Sequence, residues 1–469
     1  MWHGNRMMEI AMVGTTDAVD AVDVDDAVDV DEMNKAVEGE HRPEPPLWRN
    51  WRYQTLTAGG FSAFTGLAIA DVVFPLLILG FTGSPLLAGC FGVLQFLATI
   101  VGALPAGMFI DRHDRRRVLI VTESVRALAG MALAATLASG HVWLPQIYLV
   151  AIVLGFCQPF GAARNIAVRT VVPDGQLTRA LSQQQVRTAL AQLIGPAVGA
   201  ALYAAGRSLP FFVCAAALAL SALAAVLARF DGRPKAAQEE ADTPDSHSED
   251  AEKAGGKKSG GKKTGGKSAD GALAGIRILW NQPLMRAAML LIMVVNLIGT
   301  PIDLILIVQA RHEGIPTHYI GLILAAFAAG SIFGAPLVPV VHRRMGPGWM
   351  LINFVGLLTA VLALLVLPFG GFWMAGCFIV IGMAMPALQV LMQVLILQQV
   401  PDNQRGRVMS AAMMMMSLGM PLGSGLGGLL LQVFSPGTAI LAMAAATGTA
   451  TLFALFQRSL RTAVWPKSV

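Results

Sequence analysis

The two halves of this chain repeat each other, and the repeat limits the folds that the sequence can adopt. At a spacing of 232 residues, it matches Asp71 with Asp303, Gly89 with Gly321 and Gly102 with Gly334. Further along, the spacing becomes 227 to 228 residues and matches Pro159 with Pro386 and Gly195 with Gly423. The matched segments are hydrophobic, so the repeat indicates one membrane-embedded half that occurs twice in the same order. Such duplicated helical halves are typical of two-lobed transporters.

Composition and apolar segments indicate an integral membrane protein. Of the 469 residues, 55% are hydrophobic and 13% are charged, whereas about 25% of a soluble domain is charged. Apolar segments long enough to cross a bilayer as helices lie at 55–80, 85–109, 117–139, 143–168, 180–205, 209–229, 285–309, 319–341, 349–368, 371–398, 408–432 and 436–457. We number them spans 1 to 12. Because they lack the alternation of barrel strands, the predicted fold class is an all-α membrane protein with twelve transmembrane helices in two pseudo-symmetric six-helix halves.

Positive charges lie at one end of the predicted helices. Arginines follow spans 2, 4, 8, 10 and 12, whereas the alternate loops hold little beyond Arg207 and Arg311. By the positive-inside rule, both termini of this multi-pass protein are expected in the cytoplasm. The net charge of +5 then reflects membrane topology, and no nucleic-acid partner is expected.

Composition divides the chain into five parts. Residues 1–46 form an acidic tail with little apolar bulk, and residues 230–275 form a linker that is first acidic and then rich in Gly and Lys. Both are expected to be disordered. The six-helix halves are predicted at 47–229 and 276–460, and residues 461–469 are predicted to be a cytoplasmic tail.

The linker contains a match to a phosphate-binding loop. Gly261, Gly266, Lys267 and Ser268 satisfy G-x-x-x-x-G-K-S. That loop binds phosphate only where it joins a strand to a helix, and here it lies in a repetitive Gly/Lys tract. We therefore expect no nucleotide and no other cofactor, and we expect a proton gradient to supply the energy.

The connection between spans 2 and 3 carries the most specific motif. It reads Gly107-Met-Phe-Ile-Asp111-Arg112-His-Asp-Arg115-Arg116-Arg117 and resembles the G-x-L-A-D-R-x-G-R-K/R signature of the major facilitator superfamily. The resemblance implies a conformational latch on the cytoplasmic side, in which Gly107 allows close helix approach and the charged residues hold helices together. Phe109 and Asp114 depart from the signature, and the equivalent loop of the second half has no acid.

Further segments narrow the resemblance. The run FPLLILGFTGSPLLAG after Asp71, GAARN at 161–165 and LIGPAVGAAL at 193–202 are similar to the enterobactin-exporter and macrolide-efflux branch of that superfamily. This implies a bacterial inner-membrane exporter that acts as a monomer on small amphipathic molecules such as siderophores or antibiotics. Gly195, Pro196 and Gly199 resemble the antiporter signature of span 5, although Ala191 and Ala200 replace two of its glycines.

Two intramembrane acids are the main candidates for coupling or substrate binding. Asp71 lies in span 1 and Asp303 occupies the matching place in span 7. A charged side chain at mid-bilayer costs about 2.5–3.5 kcal/mol on insertion scales, so such acids pair, face water or titrate. A structural acid that hydrogen-bonds a neighbouring helix is the alternative.

Other polar residues within the spans are secondary candidates. Glu123 and Arg126 are three residues apart on one helical face and are predicted to form a structural ion pair. Arg164 is expected either to pair with Asp71 or an anionic substrate, or to extend to the interface as a structural residue. The remaining substrate candidates are Asn165, Gln158, Gln389 and Gln393.

The leading hypothesis is a proton-coupled exporter that works by alternating access. A nutrient importer of the same fold and a non-transporting sensor or scaffold remain as alternatives. The sequence has no His/Cys metal-ligand spacing and no nucleophile motif, so neither an enzyme nor a metal site is predicted.

Overall fold

The computed structural model describes residues 47–230, 232, 280, 283–399 and 405–462, with the backbone alone for Asp174 and residues 393–416. The acidic tail, nearly all of the linker with its phosphate-loop match, and the last seven residues lie outside the described part. The predictions of disorder for the tail and the linker therefore stay predictions.

The described chain consists of long helices connected by short turns. Its main helices are α1 (Trp51–Thr82), α2 (Pro85–Arg112), α3 (Arg115–Ala138), α4 (Leu144–Val171, with a 3-10 turn at Gln158–Gly161), α5 (Leu177–Ala205), α6 (Leu209–Leu227), α7 (Pro283–His312), α8 (Thr317–Arg344), α9 (Pro347–Leu365), α10 (Gly371–Gln399), α11 (Arg405–Val433), α12 (Pro436–Phe456) and the short α13 (Arg458–Arg461). Eleven of those in the described part are long and apolar enough to cross a membrane. Helix α11 occupies the place of predicted span 11, and its first side chains lie outside the described part. The predicted fold class is confirmed.

Short polar residues begin several of these helices. The side chains of Asn50, Ser84, Asp114 and Ser435 accept hydrogen bonds from backbone N–H groups in the first turns of α1, α2, α3 and α12. Such caps satisfy donors that have no partner within the helix. Gly83 ends α1 with φ 65°, a left-handed conformation that glycine adopts without steric cost, so α2 can reverse direction at once.

Successive helices run in opposite directions, which gives the bundle two ends. The start of α1 contacts the end of α4 through a hydrogen bond from Asn50 to the Val171 carbonyl. Arg116 at the start of α3 binds the carbonyls of Ala225 and Val226 at the end of α6. We call this end, which carries the arginines that connect α2 to α3, the basic side. The other end is the opposite side.

The two halves contact each other toward the opposite side. The Ser424 hydroxyl in α11 donates to the Gly89 carbonyl in α2 at 3.1 Å, and Arg311 in α7 donates to the Leu76 carbonyl in α1 at 3.3 Å. Gly321 of α8 packs against Pro196 and Ala200 of α5. All these contacts lie nearer the opposite side, so the described bundle is closed there and its interior is reached from the basic side.

Candidate functional site

Asp71 and Asp303 face the space between the two halves. Each is exposed although its neighbours in sequence, Ala70 and Val72 or Ile302 and Leu304, are buried. The two carboxylates interact electrostatically with each other. Because they belong to different halves, this interaction places both in the interior, at the closed end of the path from the basic side.

The surroundings of the two acids differ. The Asp71 carboxylate interacts with the side chain of Gln95 in α2 and with the charge of Arg126 in α3. For Asp303, the interaction found is with the like charge of Asp71. The matching sequence positions therefore do not have matching electrostatics.

A buried ionic cluster lies behind Asp71 in the first half. Glu123 accepts a hydrogen bond from Arg164 Nη2 at 2.9 Å and contacts Arg126 Nη1 at 3.4 Å. Arg164 Nη2 also lies 2.6 Å from the Ser221 hydroxyl in α6. The cluster connects α3, α4 and α6, and it brings together the predicted pair Glu123 and Arg126 with a third charged residue.

This geometry corrects two expectations for Arg164. Its side chain is 6% exposed, so it does not extend to the interface. Its carboxylate partner is Glu123, whereas Arg126 is the arginine that interacts with Asp71. Sequence reasoning expected Asp71 or a substrate because it placed Arg164 and Glu123 in separate spans without knowing which faces meet.

Arg126 has unused hydrogen-bonding capacity. It is 3% exposed, and its Nε and Nη2 atoms have no partner among the described residues. A buried polar group without a partner is costly. Arg126 is therefore the more loosely held of the two arginines that share Glu123.

The other polar candidates divide by location. Gln158 accepts a hydrogen bond from Thr99 of α2 at 3.3 Å, and Asn165 accepts one from Gln184 of α5 at 2.6 Å, so both connect helices of the first half. Gln389 is exposed on α10. The side chain of Gln393 lies outside the described part.

Three of the predicted latch residues are exposed in this conformation, whereas Arg115 and Arg116 are half-buried. Gly107, Asp111 and Arg112 are exposed, and a Cβ atom at Gly107 would meet no other atom within 4 Å. Within the described part of the chain, no helix therefore approaches Gly107 as closely as the resemblance implies. Arg116 instead fixes α3 to the end of α6.

Asp114, which departs from the family signature, has a local structural role. Its carboxylate accepts the Arg116 backbone N–H at 2.9 Å and thereby caps α3. The adjacent Arg115 N–H donates to the Gly232 carbonyl at 3.0 Å, just beyond α6. A glycine, as in the signature, would provide no such cap, so Asp114 stabilises the start of α3, while the Arg115 backbone connects that start to the chain just beyond α6.

The small residues of α5 pack against both halves. Gly195 lies against Ala68 of α1, and Gly199 lies against Ile69. Pro196, on the other hand, contacts Gly321 of α8 in the second half. The span-5 motif thus allows α5 to pack closely on α1 within the first half and on α8 at the contact between the two halves, which we call the seam.

Sequence reasoning missed Arg187 of α5. Its guanidinium donates to the Thr57 hydroxyl and, at 2.9 Å, to Gln54 Oε1, both in α1. An open cavity of about 410 Å³ on the basic side is lined by Gln54, Arg179, Ser182, Gln183, Val186 and Arg187. The available signal was an arginine inside an apolar span, two residues after the cluster Gln183–Gln185.

Comparison with known proteins assigns the chain to a family. The profile of the Major Facilitator Superfamily matches residues 56–385 and 300–468. Macrolide efflux protein A of Streptococcus pyogenes is 24% identical over 389 residues, which cover 80% of this chain and 89% of that protein. The multidrug efflux pump Tap of Mycolicibacterium fortuitum is 25% identical over 387 residues, which cover 80% of this chain and 87% of that protein.

Solved structures show the same fold. The nucleoside transporter NupG has a TM-score of 0.69 at 13% identity, covering 87% of this chain and all of that chain (100%). A bacterial homologue of the lysosomal transporter Spinster, inward-facing and unoccupied, has a TM-score of 0.66 at 15% identity, covering 90% of this chain and 100% of that chain. The duplicated helical halves, the paired intramembrane acids and the profile match agree: the chain belongs to the Major Facilitator Superfamily of transporters.

Proposed function

We propose that this protein is a proton-driven exporter of drug-like amphipathic molecules in a bacterial inner membrane, with both termini in the cytoplasm. The observation that carries the proposal is the pair of exposed acids, Asp71 and Asp303, at the closed end of the interior path. A carboxylate in such a place takes up or releases a proton as its access to water changes. The relatives named as macrolide and multidrug efflux pumps support the drug-like class of substrate.

The described conformation fits one step of alternating access. If the basic side is cytoplasmic, a substrate enters through the cavity lined by Gln54, Ser182 and Arg187 and reaches the two acids. Opening of the seam at Gly89 and Ser424 would then give access to the opposite side, where protons exchange with the outside.

Transport into inverted membrane vesicles tests this proposal. We expect uptake of a radiolabelled macrolide or of the dye ethidium when respiration acidifies the vesicle lumen, and loss of that uptake with a protonophore. Vesicles with Asp71→Asn/Asp303→Asn protein at matched abundance are the control. Uptake that is driven in right-side-out vesicles instead would support a nutrient importer, and transport unaffected by the protonophore would contradict proton coupling.

A further inference from the structure

Within the described part of the chain, the second half has apolar residues where the first half has its buried ionic cluster, and it contains an apolar groove beside α9. By the spacings of the repeat, Glu123 matches Val355, Arg126 matches Leu358 and Arg164 matches Leu391. Between α9 and the pair α8–α10 lies a cavity of about 150 Å³. Its lining includes Leu337, Val341, Met345, Phe354, Leu388 and Leu391, with Asn353 as a polar member. We call this cavity the α9 groove.

Unpaired arginines surround the basic-side end of the α9 groove. Arg343 and Arg344 end α8, and Arg458 and Arg461 lie in α13. All four are exposed, and within the described part none of their side chains forms an ion pair or a hydrogen bond. The described segments 335–365, 371–399 and 436–462 contain no Asp or Glu. The four arginines therefore have no carboxylate partner within these segments.

Contacts within the second half connect the arginines to the groove. Arg344 is three residues after the groove-lining Val341 and therefore lies near the same helical face. The α13 segment packs on the start of α9, because a Cβ atom at Gly348 would collide with the Leu460 carbonyl. Trp349 is 42% exposed at that start, as is usual for a side chain at the membrane interface.

We propose that the α9 groove and its arginines bind an anionic phospholipid of the basic-side leaflet. The chemistry requires a ligand with a negative head and a long apolar chain, which a membrane phospholipid supplies. Basic pockets between transmembrane helices bind such head groups. The phosphate contacts Arg344 and Arg458, and one acyl chain fills the space between α9 and the α8–α10 pair. The lipid thus covers apolar surface that α8, α9 and α10 leave open.

This inference is independent of the direction of transport and of the substrate, so its test is a binding test on the full-length protein. Purified protein is delipidated in detergent, and its Tm is measured with added palmitoyl-oleoyl phosphatidylglycerol or with the zwitterionic phosphatidylcholine of the same chains. We expect phosphatidylglycerol to raise the Tm more than phosphatidylcholine does. Arg344→Gln/Arg458→Gln should remove that difference, whereas Arg117→Gln/Arg169→Gln, with the same loss of charge in the first half, should retain it.

The part of the proposed site that binds the acyl chain needs a separate variant. Ala384→Leu places a larger side chain in the groove and should also abolish the difference between the two lipids. A phosphatidylglycerol with a photoreactive acyl chain should crosslink to peptides of α9 or α10 in the wild-type protein, which gives a readout even if Ala384→Leu fails to fold. Equal effects of the two lipids, an unchanged difference in the Arg344/Arg458 variant, or crosslinks confined to other helices would overturn the proposal. Protection of the groove from crosslinking by a transported macrolide would assign it to the substrate and likewise overturn it.

Discussion

Arg164 in α4 binds Glu123 in α3 at 2.9 Å, with both side chains buried. A buried arginine in a transporter is an obvious candidate for substrate binding, but this one has a carboxylate partner and a hydroxyl partner in Ser221. It connects three helices of the first half. The geometry therefore favours a structural role for Arg164 and leaves Arg126, which interacts with Asp71, as the arginine closer to the coupling chemistry.

We predict that Glu123→Gln strongly destabilises the protein. The substitution removes the carboxylate that both buried guanidinium groups contact, and breaking a buried pair by removing one partner costs about 3–5 kcal/mol. Thermal unfolding in detergent should show a large fall in Tm. The matched control is Arg117→Gln, because the Arg117–Asp114 pair is exposed at 3.8 Å and such a pair contributes less than about 1 kcal/mol. Equal effects of the two substitutions would rule out the structural role of the cluster.

Asp71→Asn and Asp303→Asn should each abolish proton-driven transport and leave the folded protein intact. Both acids are exposed in the interior, so neither substitution opens a packing defect, but the amide cannot exchange a proton. Transport in vesicles checks the loss of proton coupling, and the Tm of the purified variants checks that they fold. A variant that still exports against a gradient at the normal rate would remove that residue from coupling.

The fold was predictable because membrane insertion imposes a strong pattern on the sequence. Apolar length alone located the helices within a few residues, as for span 7, predicted at 285–309 and observed at Pro283–His312. Side-chain partners were less predictable. The contact of Glu123 with Arg126 follows from a spacing of three residues on one helix, whereas the contact with Arg164 depends on how α3 and α4 are rotated toward each other.

The repeat in sequence also overstated the symmetry of the site. It correctly paired Asp71 with Asp303 as two acids that face the interior, and it matched Arg126 with Leu358, but it did not indicate that Arg126 interacts with Asp71. Similarly, the sequence identified Asp114 only as a departure from the motif. Its carboxylate accepts a hydrogen bond from the Arg116 N–H, and a family pattern does not encode this local geometry.

Asp111→Ala should lower the transport rate without changing apparent substrate affinity. Asp111 is exposed at the end of α2 on the basic side, remote from the interior acids, so it is available to bind another helix when the basic side closes. The measurement is cysteine labelling at the basic-side ends of α2 and α11, together with transport kinetics. Unchanged labelling with wild-type turnover would contradict the latch.

Removal of residues 236–270 should leave transport largely unchanged if a linker long enough to connect α6 and α7 remains. The Gly/Lys tract has little apolar content with which to form a core, and we expect the energy to come from the membrane gradient, at about 2.3 kcal/mol per charge for 100 mV. Lys267→Ala is the point variant for the phosphate-loop match. ATP-dependent uptake that persists with an ionophore and is lost in Lys267→Ala would show that the match binds nucleotide.

Gly89→Val should hold the protein open toward the opposite side. In the described conformation, a Cβ atom at Gly89 would lie 2.6 Å from the Ser424 carbonyl and 2.8 Å from Gly428 Cα in α11, so valine cannot fit unless the two halves separate there. Gly376→Val is the matched control, because a Cβ atom at Gly376 in α10 meets nothing within 4 Å. Cysteines introduced beside the seam should react faster with a membrane-impermeant reagent applied from the opposite side in Gly89→Val than in Gly376→Val, and transport should fall because the closed seam no longer forms. If labelling is the same in both variants and transport persists, separation of α2 from α11 is not part of the transport cycle.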